Sequence, residues 1–462
     1  MSDEKYNLRY LTQIAMVAAL GGLLFGYDWV VIGGAKPFYE PFFGIAGSPL
    51  LQGWAISSAL VGCMAGAVLS GLISDRYGRK NVLIMAAALF LISAIGTGLA
   101  NTFSIFIFYR IVGGVGIGLA STASPVYIAE VSPAPIRGRF VSINQLTIVI
   151  GILLAQIINW LIAEEVPANA TGQEILASWN GQTGWRWMFW AEAVPAALFF
   201  GLMWAVPESP RWLVKARQPQ KAKTILAKVG GAAYADRAAR DIEETLKAQH
   251  GKTNLFAALR QKPVRAILAL GVFLAVLQQW CGINVIFMYA EEVFTAAGYS
   301  LSDMLFNIVI TGSVNLIFTF AAMALVDKIG RKPLMLIGLG GLSAIYLLVG
   351  LFYSMQVSGW PVLLLIVLAI ACYAMTLAPV TWVILSEIFP NQIRGAAMAI
   401  ATFALWVGNA LLAYFFPIIN QAINASGSFW VFAGICIAGL IFVWFRLPET
   451  KGKTLEEIEL HV

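Results

Sequence analysis

Twelve apolar runs of about twenty residues or more, set apart by short clusters of charge, leave this chain few folds to choose from. They lie near 11–33, 52–74, 81–101, 103–125, 140–163, 187–206, 264–289, 303–326, 333–356, 361–386, 396–420 and 428–447. A helix of that length crosses the ~30 Å of hydrocarbon in a bilayer. Only helices and closed barrels satisfy every backbone N–H and C=O there, and these runs lack the polar alternation of barrel strands. The expectation is therefore an all-α polytopic membrane protein with twelve transmembrane helices. Composition agrees, since only 12% of residues are charged against about 25% in a soluble domain.

The charges set a topology. Of the 30 Lys and Arg, all but Lys36, Arg110 and Arg186 fall at the termini, after even-numbered spans, or in the segment 207–263. Positive charge accumulates on the cytoplasmic side, so both termini and the central segment are expected there. The net charge of +6 follows from this topology and calls for no nucleic-acid partner. The first run is longer than a signal-peptide core, contains Asp28 and leads to no small-residue cleavage site, so it reads as the first helix. Cys63, Cys281, Cys372 and Cys436 fall inside spans without metal-ligand spacing and read as buried thiols. The two histidines, His250 and His461, are both expected in the cytoplasm, so neither carries protons within the membrane.

The chain also repeats itself. Asp75-Arg76-Tyr77-Gly78-Arg79-Lys80 after span 2 returns 252 positions later as Asp327-Lys328-Ile329-Gly330-Arg331-Lys332 after span 8. Glu130, Pro133, Ile136, Arg137 and Gly138 return as Glu387, Pro390, Ile393, Arg394 and Gly395, each 257 positions on. Spans 6 and 12 both end in Pro-Glu, at Pro207-Glu208 and Pro448-Glu449. Two six-helix halves of like polarity are expected around one substrate path near mid-depth. Their bounds are 1–206 and 264–447, with a cytoplasmic linker at 207–263 and a tail at 448–462. The linker segments 219–229 and 235–249 are rich in Ala, Lys, Glu and Leu and predict short amphipathic helices.

These landmarks resemble the sugar porter family of the major facilitator superfamily, which includes bacterial sugar/proton symporters and animal facilitative glucose transporters. The resemblance covers essentially the whole chain. It rests on Gly22 to Asp28 (GGLLFGYD), the two Asp-led turns, Glu130 to Arg139, Pro207 to Leu213 (PESPRWL), Gln278 to Asn284 (QQWCGIN), Ser386 to Pro390 (SEIFP) and Pro448 to Gly452 (PETKG). It implies the major facilitator fold, two pseudo-symmetric six-helix bundles, and transport of a monosaccharide through the cell (inner) membrane by a protein that is not an enzyme and works as a monomer. It implies no cofactor, with protons as the coupling ion.

Asp28 lies inside span 1, where a carboxylate costs about 2.5 to 3.5 kcal/mol on insertion scales. Arg110 in span 4 and Glu192 in span 6 are the other charges placed within spans of the first half, and Arg110 is the evident counter-ion. Burial raises a carboxyl pKa and a neighbouring guanidinium lowers it, so alternation between the two environments can load and release a proton. In bacterial symporters of the family an Asp at the position of Asp28 is the proton site, whereas animal facilitators carry Asn. The resemblance thus makes Asp28, with Arg110 and Glu192, the coupling group.

A dehydrated sugar needs partners that both donate and accept, which side-chain amides supply. Span 7 offers Gln278, Gln279 and Asn284, and Gly282 allows the helix to unwind so that adjacent glutamines reach different hydroxyls. The resemblance adds Gln156 in span 5, Asn315 in span 8, Trp382 and Trp406 in spans 10 and 11, with Phe25 and Tyr289. The two tryptophans are expected below the interfacial belt, an indole covering the C–H face of a pyranose. Pro379 and Pro417 allow bending nearby. Three positions depart from the family pattern: Met288 replaces the first of a Tyr pair, Leu405 stands where an amide often precedes the Trp, and Ala378 precedes Pro379 in place of Gly. Fewer polar partners leave a pentose such as xylose and a hexose such as glucose both open.

The residues Asp75, Arg76, Arg79, Glu130 and Arg137, with Asp327, Arg331, Glu387 and Arg394, read as a cytoplasmic latch of carboxylate–arginine pairs that forms while that side is closed. Gly113, Gly114, Gly116 and Gly118 lie inside span 4 with no strand before them and read as helix packing, not a nucleotide loop. Asn169-Ala170-Thr171 is a glycosylation acceptor only in a eukaryotic host. A facilitative uniporter, with Asp28 in a structural ion pair, is the alternative to symport. A membrane sugar sensor predicts a long signalling tail, whereas about 15 residues follow span 12. No metal is expected.

Overall fold

The computed structural model describes residues 6–167, 170–248, 261–389 and 393–449. Asn169, both histidines, Pro390 and the tail from 450 lie outside the described residues, as do the side chains of Asp327 and Arg394. In chain order the helices are α1 (Leu8–Phe43), α2 (Pro49–Tyr77), α3 (Arg79–Leu99), α4 (Phe103–Val131), α5 (Arg137–Ile162), α6 (Gly172–Ala177), α7 (Trp185–Trp190), α8 (Ala193–Ala205), α9 (Pro210–Lys215) and α10 (Pro219–Ala248). There follow α11 (Lys262–Trp280), α12 (Ile283–Met288), α13 (Ala290–Ala296), α14 (Leu301–Ile329), α15 (Arg331–Ser354), α16 (Trp360–Met375), α17 (Leu377–Ile388) and α18 (Arg394–Arg446).

Among the described residues, 11 helical stretches are long and apolar enough to cross a membrane. The last, Gly395–Arg446, is two crossings run together, because Asn424 at φ 62° and ψ 173° interrupts α18. All twelve predicted spans are therefore helical, and the chain is a multi-pass membrane protein.

Three spans are broken, each for a local reason. Span 7 stops at Trp280 and restarts after Gly282, whose left-handed φ of 90° is cheap only without a Cβ. Span 10 breaks at Thr376 (φ −122°, ψ −88°), where Pro379 has removed the N–H that would bond Met375 and its ring crowds that carbonyl. Span 6 is divided between α7 and α8, with Glu192 at the junction. In the other direction, α1 runs on to Phe43, past the expected end near 33. Lys36 and Glu40, the charges that closed the apolar run, sit one turn apart with 3.2 Å between Nζ and Oε1, so the helix continues through its own ion pair.

The chain divides into two compact units, and these do not follow the halves of the repeat. The first takes Met1–Asp28, Gly62–Gly151 and Phe189–Thr253, and the second takes Trp29–Val61, Ile152–Met188 and Asn254–Val462. In the first, the glycine run packs α4 onto α2: a Cβ on Gly62 would meet Gly114 Cα at 2.9 Å, and one on Gly66 would meet Gly118 Cα at 3.0 Å. In the described part of the linker, α10 is broken at Gly230 and Gly231. Leu226, Ala235 and Ala239 form a small core of its own, and Asn7 N–H donates to Val229 O at 2.7 Å. In the second unit, Gly33 lets α1 approach the α12 backbone, since a Cβ there would strike Phe287 O.

Candidate functional site

Among the described residues, the first unit buries three charges. Asp28 is 1% exposed, Arg110 3% and Glu192 2%. Arg110 Nη1 donates to Asp28 Oδ1, Nη2 reaches Asp28 O at 3.5 Å, and the guanidinium lies 5.7 Å from the centre of the Phe189 ring. Gly113 on α4 leaves the room this needs, because a Cβ there would stand 2.9 Å from Asp28 Oδ2. Glu192 interacts electrostatically with both Asp28 and Arg110. Asp28 Oδ2 and Glu192 Oε1 have no hydrogen-bond donor among the described residues. The three residues read from sequence are thus all buried in the first unit, with Arg110 paired to Asp28 and Glu192 interacting electrostatically with both.

The second unit gathers the amides. Asn284 Nδ2 donates to Gln279 Oε1 at 2.6 Å, Gln279 Nε2 donates to Gln278 Oε1 at 3.2 Å, and Gln278 Nε2 donates to Ala378 O at 3.2 Å. This relay links the break in span 7 to the break in span 10, so the distortion expected at Gly282 also anchors the pair of glutamines. Gln156 belongs to the same unit, 2% exposed against Gly312 of α14, and its Oε1 has no donor among the described residues. Asn315 is 8% exposed on α14.

The aromatic positions divide. Trp406 is buried, with its ring 5.8 Å from that of Trp29. Trp382 is 38% exposed. The hydroxyl of Tyr289 donates to Ala413 O and its ring lies 4.7 Å from Phe416, so its polar group is already engaged. Phe25 lies half-buried in the first unit, one turn before Asp28. Met288 and Leu405 are both buried.

Sequence reasoning missed Asn409 on α18. It is fully buried, and neither Oδ1 nor Nδ2 meets a partner among the described residues. Its spacing of three from Trp406, one helical turn, was the available signal. It also missed the setting of Lys36, whose Nζ lies 2.9 Å from Glu291 Oε2 and 2.8 Å from Glu292 Oε1.

The basic turns form a matched pair. Glu208 accepts from the backbone N–H of Arg79 and Lys80 at 3.0 and 3.1 Å, and Glu449 accepts from those of Arg331 and Lys332, both at 3.1 Å. Each carboxylate thus sits on the exposed N–H groups that open a helix, where negative charge is favoured. Burial nevertheless raises the Glu208 carboxyl above its ordinary range, against the pull of the N–H groups of Ser209, Lys80 and Arg79. Gly78 and Gly330, at φ 93° and 107°, make room for the two acids. Lys80 Nζ donates to Trp204 O at 2.8 Å and Lys332 Nζ to Trp444 O at 2.9 Å.

Of the residues expected in a latch, Arg79 Nε lies 2.9 Å from Glu130 Oε2, and Arg331 Nη2 donates to Glu387 Oε1 at 2.9 Å. Asp75 is 3.6 Å from Arg79 and 3.1 Å from Lys215 of the linker. Arg76 instead lies over the Tyr77 ring at 5.3 Å, and Arg137 is exposed. A groove of about 660 Å³ lined by Leu91, Val194 and Leu198 is almost wholly apolar and suits a lipid chain, not a hydroxylated ligand.

Residues 14–461 match the model of the family described as sugar (and other) transporter. The D-xylose-proton symporter of Escherichia coli strain K12 is 39% identical, over 99% of this chain and 96% of that protein. The arabinose-proton symporter of Bacillus subtilis strain 168 is 38% identical over 99% and 96%. The glucose transport protein of Synechocystis is 38% identical over 99% and 98%. Among solved structures, the inward-open xylose transporter from E. coli superposes with a TM-score of 0.85 at 39% identity, covering 98% of this chain and 99% of that one.

Proposed function

The chain belongs to the sugar transporter family, and from that premise we propose that it carries a monosaccharide through the cell membrane together with a proton, by alternating access. The charge count at the buried site of the first unit carries this reading. Arg110 pairs with Asp28, and Glu192 is a second buried acid that interacts electrostatically with both. A buried ion pair is neutral, whereas a third buried charge is not, so the site is most stable with one proton bound. Asp28 Oδ2 and Glu192 Oε1, the carboxyl oxygens without donors, are where that proton is held. Asp28, paired with Arg110, is its carrier.

The sugar is a pentose such as xylose or a hexose such as glucose, the classes named for the relatives. Gln156, Gln278, Gln279, Asn284 and Asn315 bind its hydroxyls, and Trp406 and Trp382 cover its apolar face. An amide relay suits the task, because each member can exchange its neighbour for a sugar hydroxyl without a buried group going unpaired. Phe25 and Tyr289 add apolar contact.

Both termini and the basic turns face the cytoplasm, given the placement of Lys and Arg. There Arg79 with Glu130 and Asp75, and Arg331 with Glu387, act as the latch. The bundles are 1–206 and 264–447, joined by the linker 207–263, and one copy suffices for transport. Uptake of a panel of labelled sugars into proteoliposomes, with and without an inward pH gradient, tests the reading. Accumulation of one sugar above its outside concentration only with the gradient is the expected result. Equilibration that ignores the gradient makes the protein a facilitator instead.

A further inference from the structure

Lys36 is the most deeply buried cation that this mechanism leaves unused. Its side chain is 3% exposed, and its ammonium touches three carboxylates: Glu291 at 2.9 Å, Glu292 at 2.8 Å and, on its own helix, Glu40 at 3.2 Å. Glu40 in turn accepts from Gln52 Nε2 at 3.0 Å, and Gln52 also donates to Ala46 O at 2.9 Å, which fastens the α1–α2 turn to the cluster. Lys36 and Glu291 are 255 residues apart in sequence, so these contacts join α1 to α13 within the second unit. The acids outnumber the base. Glu292 Oε2 has no donor among the described residues, so the ammonium is the group on which the cluster depends.

The elements it joins are built to move. α12 is a helix of 6 residues between two interruptions, Gly282 at φ 90° and Tyr289 at φ −121° and ψ 42°. α13, which carries Glu291 and Glu292, follows directly. The segment also holds Asn284, a member of the amide relay, and the α1 backbone reaches it through Gly33. A short helix hinged at both ends does not hold one position by its own hydrogen bonds. An ion cluster at its far end can hold it, and hydration of the four charged groups lets it go.

We propose that Lys36 is the lock of the outer gate: its contacts with Glu291 and Glu292 hold the α12–α13 segment against α1 while that end is closed, and they break when it opens to the outside. This rests on the reading of the chain as an alternating-access sugar carrier with its basic turns in the cytoplasm. It also separates the two ends of the molecule. The basic turns pair acids and bases that the repeat supplies twice, whereas the outer lock uses residues that each occur in one half only.

Spin labels on cysteines at Gly47 and Thr295, both exposed, report the separation of the α1–α2 turn from α13 in a Cys372→Ser background whose remaining cysteines are buried. In Lys36→Met the ratio of long-distance to short-distance populations should rise about tenfold over the parent. Glu291→Gln combined with Glu292→Gln, at the part-exposed side of the cluster, should act in the same direction and serves if Lys36→Met fails to fold. Exchanging the charges, Lys36→Glu with Glu291→Lys, should return the distribution toward that of the parent. Unchanged populations in whichever of the first two variants folds would overturn the lock. Sugar uptake by the unlabelled wild type is scored separately, so a failure of the transport reading shows there and a failure of the lock shows in the distances.

Discussion

Gly26-Tyr27-Asp28 in span 1 and Gly282-Ile283-Asn284 in span 7 stand 256 positions apart, so one place in the repeat carries an acid in one half and an amide in the other. The surroundings differ accordingly. Asp28 shares its burial with Arg110 and Glu192, whereas Asn284 opens a relay of neutral groups. Arg110 falls opposite Val367 at the 257 offset, and Glu192 falls opposite Ala433 at the 241 offset of the Pro-Glu landmarks. The two copies thus differ in charge and in backbone alike, since α1 runs unbroken through Gly26 whereas span 7 is interrupted at Gly282; under the proposed function one serves a proton and the other a sugar. The basic turns teach the opposite lesson, since Glu208 and Glu449 cap their helices almost identically.

The comparison can be broken at its charged side first. Arg110→Leu leaves two buried acids without a base, and removing one partner of a buried pair costs about 3 to 5 kcal/mol. Thermal unfolding in detergent should show that loss, with much of it recovered when Asp28→Asn is added. No recovery would mean that Arg110 serves packing and not charge. Asp28→Asn alone makes the first half resemble the second. Uphill accumulation in proteoliposomes should vanish while counterflow between sugar-loaded compartments stays within about threefold of wild type. Accumulation that survives would move the proton away from Asp28.

At the neutral side, Asn284→Ala breaks the relay and leaves Gln279 Oε1 without its donor. Equilibrium sugar binding should weaken roughly 10- to 100-fold, the effect of about 1 to 3 kcal/mol for a stranded buried group. Proton uptake measured without sugar should be unchanged, and a change there would join the two sites more tightly than their separate chemistry suggests. The smallest effects belong to the caps. Glu208→Gln and Glu449→Gln should each lower stability by about 1 kcal/mol, and by nearly equal amounts, in denaturant titrations. Unequal losses would show that the two turns are alike in shape but not in load.

Much of this is legible in the amino-acid sequence. Run lengths mark the twelve crossings, the repeat marks the halves, and the cost of a membrane carboxylate singles out Asp28. Gly282 announces the break in span 7, and Pro379 the break at Thr376 three residues earlier. Other features leave no such mark. Glu208 and Glu449 are visible as paired landmarks but not as caps of α3 and α15, because the helix N-termini they meet lie over 100 residues away in the chain. Lys36 stands out only as an exception to the charge rule, and the apolar run stops short of it. Asn409 looks like one more intramembrane amide.

The division between sequence and structure is physical. Crossing a bilayer is a local transaction between a stretch of side chains and the lipid around it, so length and polarity decide it residue by residue, and the sequence alone determined the number of helices and their repeat. Which face of each helix meets which neighbour is a different matter, because a run that is apolar all round records no preferred side. Only packing, through glycines such as Gly33 and Gly62 that let backbones approach, decided that Lys36 meets Glu291 and Glu292 and that Gln156 sits in the same unit as the amides of the other half.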